Sequence, residues 1–475
     1  MADSILARSA RPSWSRSPVA AVLLSLGLWA GGPGPAAAAE TSGPLLALES
    51  FRLDNGMTFV VVRRPGTPSV AAGWVVSEGS ASDPAGRSGL AHLLEHLLFK
   101  GTGTIRAGEL DLLYAEAGAN GLNALTRRDL TAYFVSLPVE KLELWFWLES
   151  DRLLAPAFRG LEAERGVVAQ ERRLRVDSDP TGLLEEELDR RLWGGHPYAL
   201  PPSGEPAELD AIGDDDVRRF FESSYGPANL TAVLVGDVDP PAVRGLAGRY
   251  FGRLEGGPPA RGAQGRGLGG GAARGAAGEG QPARRAPGPL VSSTLETICD
   301  CRTQARLLYR APAFAAPDAA AIDVLVSVLN GRSGRLHGSL VLDQEIAFAA
   351  FANRQGLREA GRLSLVAEAK GEATARALLA ALDAEIAGLL SRPPDPRELA
   401  KARNRLKADS VRALEEPSQL MLRLLLNAGL GRPERLNEWM SEVAAVSADD
   451  VARVSRELLG AGAPRVVGLF SRAGG

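Results

Sequence analysis

Two of the four histidines in this chain stand four residues apart in the run His92-Leu93-Leu94-Glu95-His96, with a glutamate between them. A helix turns about 100° per residue, so with His92 at zero, Glu95 falls near 300° and His96 near 40°. The three polar groups share one face. Leu90, Leu93, Leu94, Leu97 and Leu98 fall between roughly 100° and 240°, an apolar stripe that can anchor the helix. Two imidazoles and a carboxylate projecting together are the layout of a two-histidine metal site that carries its own base.

A catalytic zinc usually takes three protein ligands and a water. Two glutamates qualify for the third place, in Glu164-Arg-Gly-Val-Val-Ala-Gln-Glu171. Seven apart, they lie within about 20° of eclipsed on a helix, so both can face one site and spacing alone does not choose between them. The other histidines read as structural: His196 as capping or packing a loop, His337 as a surface or packing residue. Cys299 and Cys301 read as two small residues in a strand. A disulfide across so short a spacing is strained, and a zinc pair would need two further ligands nearby, which the sequence does not offer.

The elements that must position these groups fall into two halves. Gly256 to Gly288 is Gly, Ala, Arg and Pro with almost no large apolar residue, the composition of a flexible linker. It separates 44–255 from 289–475. The first half opens with Phe51–Val62, strand-like with Asn55-Gly56 as a hairpin turn, and continues with a strand near Ser69–Val76. Helices are expected over the histidine run, near Ala107–Ala117, and at about 139–153, 159–177, 180–192, 207–224 and 240–253. Strand alternation runs over Gly121–Leu137 and Asn229–Val235. The second half has strands near 303–311, 346–353, 362–369 and Arg465–Phe470. Its helices are near 317–330 and 373–391, followed by a long helical tail to about 460. Strands interleaved with helix pairs predict an α+β chain of two similar layered α/β domains, each an antiparallel-rich mixed sheet packed with helices.

At 475 residues, 45% hydrophobic and 23% charged, the composition is that of a globular protein of two or more domains. Net charge is −3, which points to no nucleic-acid partner. There is no phosphate loop and no dinucleotide fingerprint. Residues 1–39 read as a signal peptide: Arg8, Arg11 and Arg16, an apolar run from Pro18 to Trp29, then Ala36–Ala39 before the cleavage point. The apolar run is short for a bilayer and no cysteine follows it, so an exported, periplasmic or secreted protein without a stable membrane anchor is expected. A mitochondrial transit peptide is the competing reading, opposed by the continuous rather than amphipathic apolar stretch.

His-x-x-Glu-His is the reversed zinc motif, and the chain resembles the insulinase/pitrilysin family, which includes the mitochondrial processing peptidases. The resemblance covers nearly all of the mature chain. It includes Gly79–Gly86 before the histidine run, Phe99-Lys-Gly-Thr102 after it, Asn123-Ala-Leu-Thr126 with Asp129 and Tyr133, and His196-Pro-Tyr198. It implies a clamshell fold and one Zn2+ per chain held by His92, His96 and Glu171, the last 171 − 96 = 75 residues beyond the second histidine. It further implies Glu95 as general base, Glu164 as a supporting acid behind the ligands, and a substrate strand along Asn123, Ala124 and Thr126. The function implied is a zinc metalloendopeptidase acting on peptides or unfolded polypeptide, with a non-catalytic assembly subunit as the alternative. In this family the second half supplies an Arg and a Tyr that hold substrate. Arg335 matches the first, while Phe348 stands where the Tyr is expected. Two domains are half of the family's chamber, so the resemblance implies a homodimer or a heterodimer with a related subunit.

Overall fold

The computed structural model describes residues 46–255 and 287–473. The signal-peptide reading of 1–39 and nearly all of the linker at 256–288 lie outside the described residues. The described residues all fall in one compact unit.

The first half runs β1 (Glu49–Arg52), β2 (Thr58–Arg63), β3 (Ser69–Val76), α1 (Leu90–Leu97), α2 (Glu109–Glu116), β4 (Asn120–Thr126) and β5 (Thr131–Pro138). It continues with α3 (Leu142–Leu154), α4 (Leu161–Arg172), α5 (Gly182–Trp193), α6 (Pro206–Asp210), α7 (Asp214–Ser224), β6 (Leu230–Gly236) and α8 (Pro240–Tyr250). The second half runs β7 (Ser293–Cys299), β8 (Gln304–Ala311), α9 (Ala319–Leu329), β9 (Ala347–Gly356), β10 (Gly361–Ala369) and α10 (Ala375–Ser391). Then come α11 (Pro396–Glu415), α12 (Pro417–Gly429), α13 (Arg435–Ala445), α14 (Ala448–Leu459) and β11 (Val466–Arg472).

The long tail expected in the second half is thus four helices. Pro417 has no N–H to continue α11 and instead opens α12. Gly431, in the left-handed region at φ +85°, turns the chain out of α12. The reading of the two cysteines also needs correction. Only Cys299 ends a strand; Cys301 lies in the turn beyond it, and the two sulfurs are bonded across Cα atoms 5.2 Å apart. The turn brings together two residues that a continuous strand would have held apart.

The chain is a mixed α/β fold with two sheets packed by helices. The first sheet has the order β1-β2-β6-β3-β5-β4 and the second β7-β11-β8-β10-β9. Five strands of the first repeat in the second with the same directions: β2–β6 and β7–β11 are parallel pairs and all the remaining pairs in both sheets are antiparallel. This is the internal duplication that sequence identity between the halves is too weak to reveal.

Each half also lends a helix to the other. Along α12, Leu420, Met421, Leu424, Leu425 and Ala428 recur at helical spacing and are buried against Val60, Val62, Ala71, Val75, Val233 and Val235 of the first sheet. Leu425 reaches the sheet over Gly73, where a Cβ would stand 2.8 Å from its Cδ1. In exchange, Leu188, Leu192 and Trp193 of α5 pack on Leu308, Val466 and Phe470 of the second sheet. Burying each large apolar side chain is worth about 1.5–3 kcal/mol, so the exchange ties the halves together far more strongly than a surface contact would. The sequence boundary at 256–288 therefore divides the strands between the halves but not the helices that cover them.

Candidate metal centre

The helix carrying the histidine run, α1, is held at both ends. Gly89, at φ +91°, turns the chain into it. The Asp83 carboxylate accepts from Gly89 N at 2.8 Å and Ala91 N at 2.9 Å, satisfying N–H groups that the first turn leaves without partners. Past the other end, Arg152 Nε donates to Leu98 O at 3.2 Å, and Arg152 Nη1 forks onto both oxygens of Glu149. Trp74 and Tyr114 also donate to Glu149, so the carboxylate of this buried pair is met from several sides, while Arg152 Nη2 has no acceptor among the described residues. Leu90, Leu93, Leu94 and Leu97 are fully buried, as the stripe predicts, and the opposite face looks into a cleft of about 390 Å3.

That cleft gathers residues from three elements: His92, Glu95, His96 and Lys100 on and just after α1, Asn123 to Thr126 on β4, and Glu164 with Glu171 on α4. Glu171 Oε2 lies 3.8 Å from His92 Nε2 and 3.4 Å from His96 Nε2. One ligand atom from each of the three residues falls within 4.8 Å of the others. Donors about 2.0–2.1 Å from a tetrahedral zinc stand roughly 3.3 Å apart, so the set needs only a small contraction to hold one. Burial, and next the neighbouring His96, hold His92 down to about 4, which keeps its imidazole neutral and able to donate a lone pair. Glu95 is 8% exposed; burial pushes its carboxyl up to about 7, opposed by a hydrogen bond from Thr126.

Glu164 and Glu171, equivalent by spacing, separate in the structure. Glu171 faces both histidines, while Glu164 Oε2 lies 3.5 Å from His96 Nδ1, behind the ring, with Oε1 at 2.7 Å from Lys100 Nζ. Two cations not singled out by the motif complete the set. Lys100 is four residues after His96, and Arg175, four after Glu171, pairs with Glu171 Oε1 at 2.5 Å. The i,i+4 spacing of Arg175 to Glu171 was a usable signal, while Lys100, past the end of α1, meets Glu164 only through the packing of the two helices. Arg175 sits in a π-helical turn, Arg173–Asp177, that extends α4.

Among the described residues β4 is the outer strand of its sheet, paired with β5 alone, and Asn123 Oδ1 accepts from Ala124 N at 2.8 Å. Asn123 is exposed and Ala124 half-buried, but the Thr126 hydroxyl is committed to Glu95. His196 is structural, as read: Nδ1 accepts from Tyr198 N and Nε2 meets Glu359 of the second half at 2.9 Å.

Arg335 and Phe348 are not brought to the cleft. The Arg335 guanidinium forks onto Glu398 at 3.0 and 2.8 Å and donates to Arg392 O, and its side chain is 8% exposed. Within one chain this arginine clamps the start of α11 rather than meeting substrate at His92. Phe348 is exposed on β9, under the Arg302 guanidinium.

Two family models match the chain: insulinase (peptidase family M16) over residues 58–204, which includes every group of the cleft, and the M16 inactive domain over 211–406. A zinc protease of Helicobacter pylori, PqqE, is 28% identical over 420 residues, covering 86% of this chain and 89% of the relative. The mitochondrial-processing peptidase subunit beta of Caenorhabditis elegans is 30% identical over 207 residues, 43% of this chain and 44% of the relative. The crystal structure of a protease from Helicobacter pylori superposes with a TM-score of 0.78 at 25% identity, covering 90% of this chain and 99% of that one. The first half of the periplasmic protease PqqL of Escherichia coli gives 0.70 at 19% identity over 89% and 92%, a likeness of fold. With an M16 domain around the cleft, an inactive-type domain after it and relatives named zinc proteases, the chain belongs to the insulinase family, peptidase family M16.

Proposed function

We propose that the protein is an exported zinc metalloendopeptidase that hydrolyses extended peptides or unfolded polypeptide. The observation that carries this reading is the convergence of His92, His96 and Glu171 around the buried carboxylate of Glu95. Those three residues would hold a zinc ion, which would supply an acidified water and a Lewis acid for the scissile carbonyl. Glu95 is placed to accept a proton from the attacking water and return it to the leaving amine; its raised pKa suits a group that must both accept and release a proton near neutrality. Thr126 holds Glu95 in place, and Glu164 steadies His96 from behind. The outer edge of β4 at Asn123 and Ala124 receives substrate as an added strand once the Asn123 side chain releases Ala124 N, a mode that recognises extended backbone more than particular side chains. Export is supported by the order of residues in 1–39 and by the likeness to PqqL, a periplasmic protease.

Pairing with a second chain, identical or related, belongs to the same proposal. This chain matches 47% of full-length PqqL, and the processing-peptidase relative is by name a subunit. The Arg335 fork and the phenylalanine at 348 favour a partner that completes the substrate side.

The test is cleavage of a quenched, unstructured peptide by the mature protein with zinc. Activity that disappears in Glu95→Gln while zinc remains near one per chain supports the mechanism. Undiminished cleavage by that variant sinks it, and a wild type that binds no zinc favours the non-catalytic assembly role.

A further inference from the structure

The duplication brings two equivalent turns together. In the first sheet the β4–β5 hairpin closes between Thr126 and Thr131, over Arg127-Arg128-Asp129-Leu130. In the second sheet β9 and β10 hold the same places, and their hairpin closes between Gly356 and Gly361, over Leu357-Arg358-Glu359-Ala360. Each turn is shut by the same bond, Arg127 N to Leu130 O at 2.8 Å and Leu357 N to Ala360 O at 2.9 Å. The first turn follows directly on Thr126, whose hydroxyl holds Glu95; the second belongs to the inactive-type domain.

The two tips meet through Arg358. Its backbone N–H donates to Asp129 Oδ2 at 2.9 Å. Its Nη2 is shared among three backbone oxygens, Ser77 O at 2.9 Å, Asp129 O at 2.8 Å and Gly429 O at 2.6 Å. One nitrogen thus ties the chain just past β3, the β4–β5 turn and the last residue of α12, where the carbonyl end of a helix favours a cation. Asp129 is buried, and its other oxygen accepts from Tyr198 OH at 2.7 Å, which in turn accepts from Glu359 N at 3.2 Å. Leu130 packs on Gly429, where a Cβ would stand 2.7 Å from Leu130 Cδ2. The same turn is bonded to the loop that leads into α1, by Ser80 N to Arg127 O at 3.0 Å and Ala81 N to Arg128 O at 2.8 Å.

We propose that Arg358 is a positioning residue for the reaction: from the inactive-type domain it sets the β4–β5 turn, and through that turn the Thr126 hydroxyl against Glu95. The proposal rests on the peptidase reading. Arg358 touches neither the metal ligands nor the cleft lining, so its effect runs through the backbone of the turn. Thr126 is one residue from that turn, and a displacement of about 1 Å is enough to break its bond to Glu95 and slow the reaction up to about 100-fold. The second domain then has work to do inside one chain, although it carries no metal site among its described residues.

The test is a double-mutant cycle on the zinc-loaded mature protein, read as kcat and KM on a quenched unstructured peptide. Arg358→Met keeps the apolar stem and removes the donors; it is expected to lower kcat about tenfold at little-changed KM, with zinc still near one per chain. Arg358→Lys, whose ammonium offers three N–H donors to the three carbonyls, is expected to restore most of the rate. In a Thr126→Val background Arg358→Met should cost less than about twofold, because the group it acts through is already gone. Thermal midpoints check folding, and Arg358→Gln replaces Arg358→Met should the latter not fold. Amide hydrogen exchange over residues 120–131 gives a second readout that needs no activity: faster exchange in Arg358→Met, reversed in Arg358→Lys. Unchanged kcat, a rise in KM alone, or the same loss with and without Thr126 overturns the proposal. A parent that cleaves nothing sinks the peptidase reading instead, and exchange then tests the tie by itself: unchanged exchange over 120–131 overturns it.

Discussion

Thr126 Oγ1 donates to Glu95 Oε2 at 2.5 Å, joining the edge strand β4 to the metal helix α1. The contact fixes which way the carboxylate points and leaves its other oxygen for the reacting water. It also gives one residue of the proposed substrate strand a different task. Thr126→Val should therefore lower kcat about 10- to 100-fold, the usual effect of loosening a group that orients a reacting one, with little change in KM. Thr126→Ser should restore most of it. Steady-state kinetics of the two variants decides the matter: a rise in KM at constant kcat would make Thr126 a substrate contact instead.

Glu95 links pH to stability as well as to activity. Its carboxyl is raised from 4.5 to about 7 by burial. The folded state thus binds this proton more tightly than the unfolded one, and the contribution is fully present below pH 4.5 and lost as pH rises through about 7. A neutral amide escapes that loss. Zinc-stripped Glu95→Gln should be more stable than zinc-stripped parent at pH 8, by up to about 3 kcal/mol, with the gap closing toward pH 4.5. Urea unfolding in the presence of a chelator at pH 5 and pH 8 measures it, and equal stabilities at pH 8 would refute the burial argument.

Arg175 holds one oxygen of Glu171 while the other faces the histidines. Its side chain is 77% exposed, so removing it should leave the fold intact. Arg175→Ala is expected to weaken zinc binding about 10-fold, at the low end for an outer-shell partner because of that exposure. Competition with a chromogenic chelator reads this without any assay of activity. Arg175→Lys should recover part of the loss.

The exchange of α5 and α12 makes a prediction about cooperativity. Leu424 is fully buried on the first sheet although it belongs to the second half. Leu424→Ala should cost about 2–5 kcal/mol, the range for emptying such a site. The loss should appear as one earlier transition, seen equally by probes in both halves. Independent melting of the two halves would show that the exchanged helices do not couple them.

The local chemistry was legible along the chain. The alternation of the strands, the leucine stripe of α1 and the placing of His92, Glu95 and His96 on its other face follow from a repeat of 2 or 3.6 residues, which any one segment carries by itself. Even Arg175, four residues after Glu171, was within reach of that rule. What the chain could not decide locally was the choice between Glu164 and Glu171, which share a helical face and differ only in what lies opposite them. The same holds for Thr126, whose partner is 31 residues away, and for Arg335, whose role turns on Glu398, 63 residues away. The exchanged helices are the largest case, since an apolar stripe says that a helix must be covered but not by which sheet. Periodicity belongs to the chain; partnership belongs to the packing, and only the tertiary structure settles it.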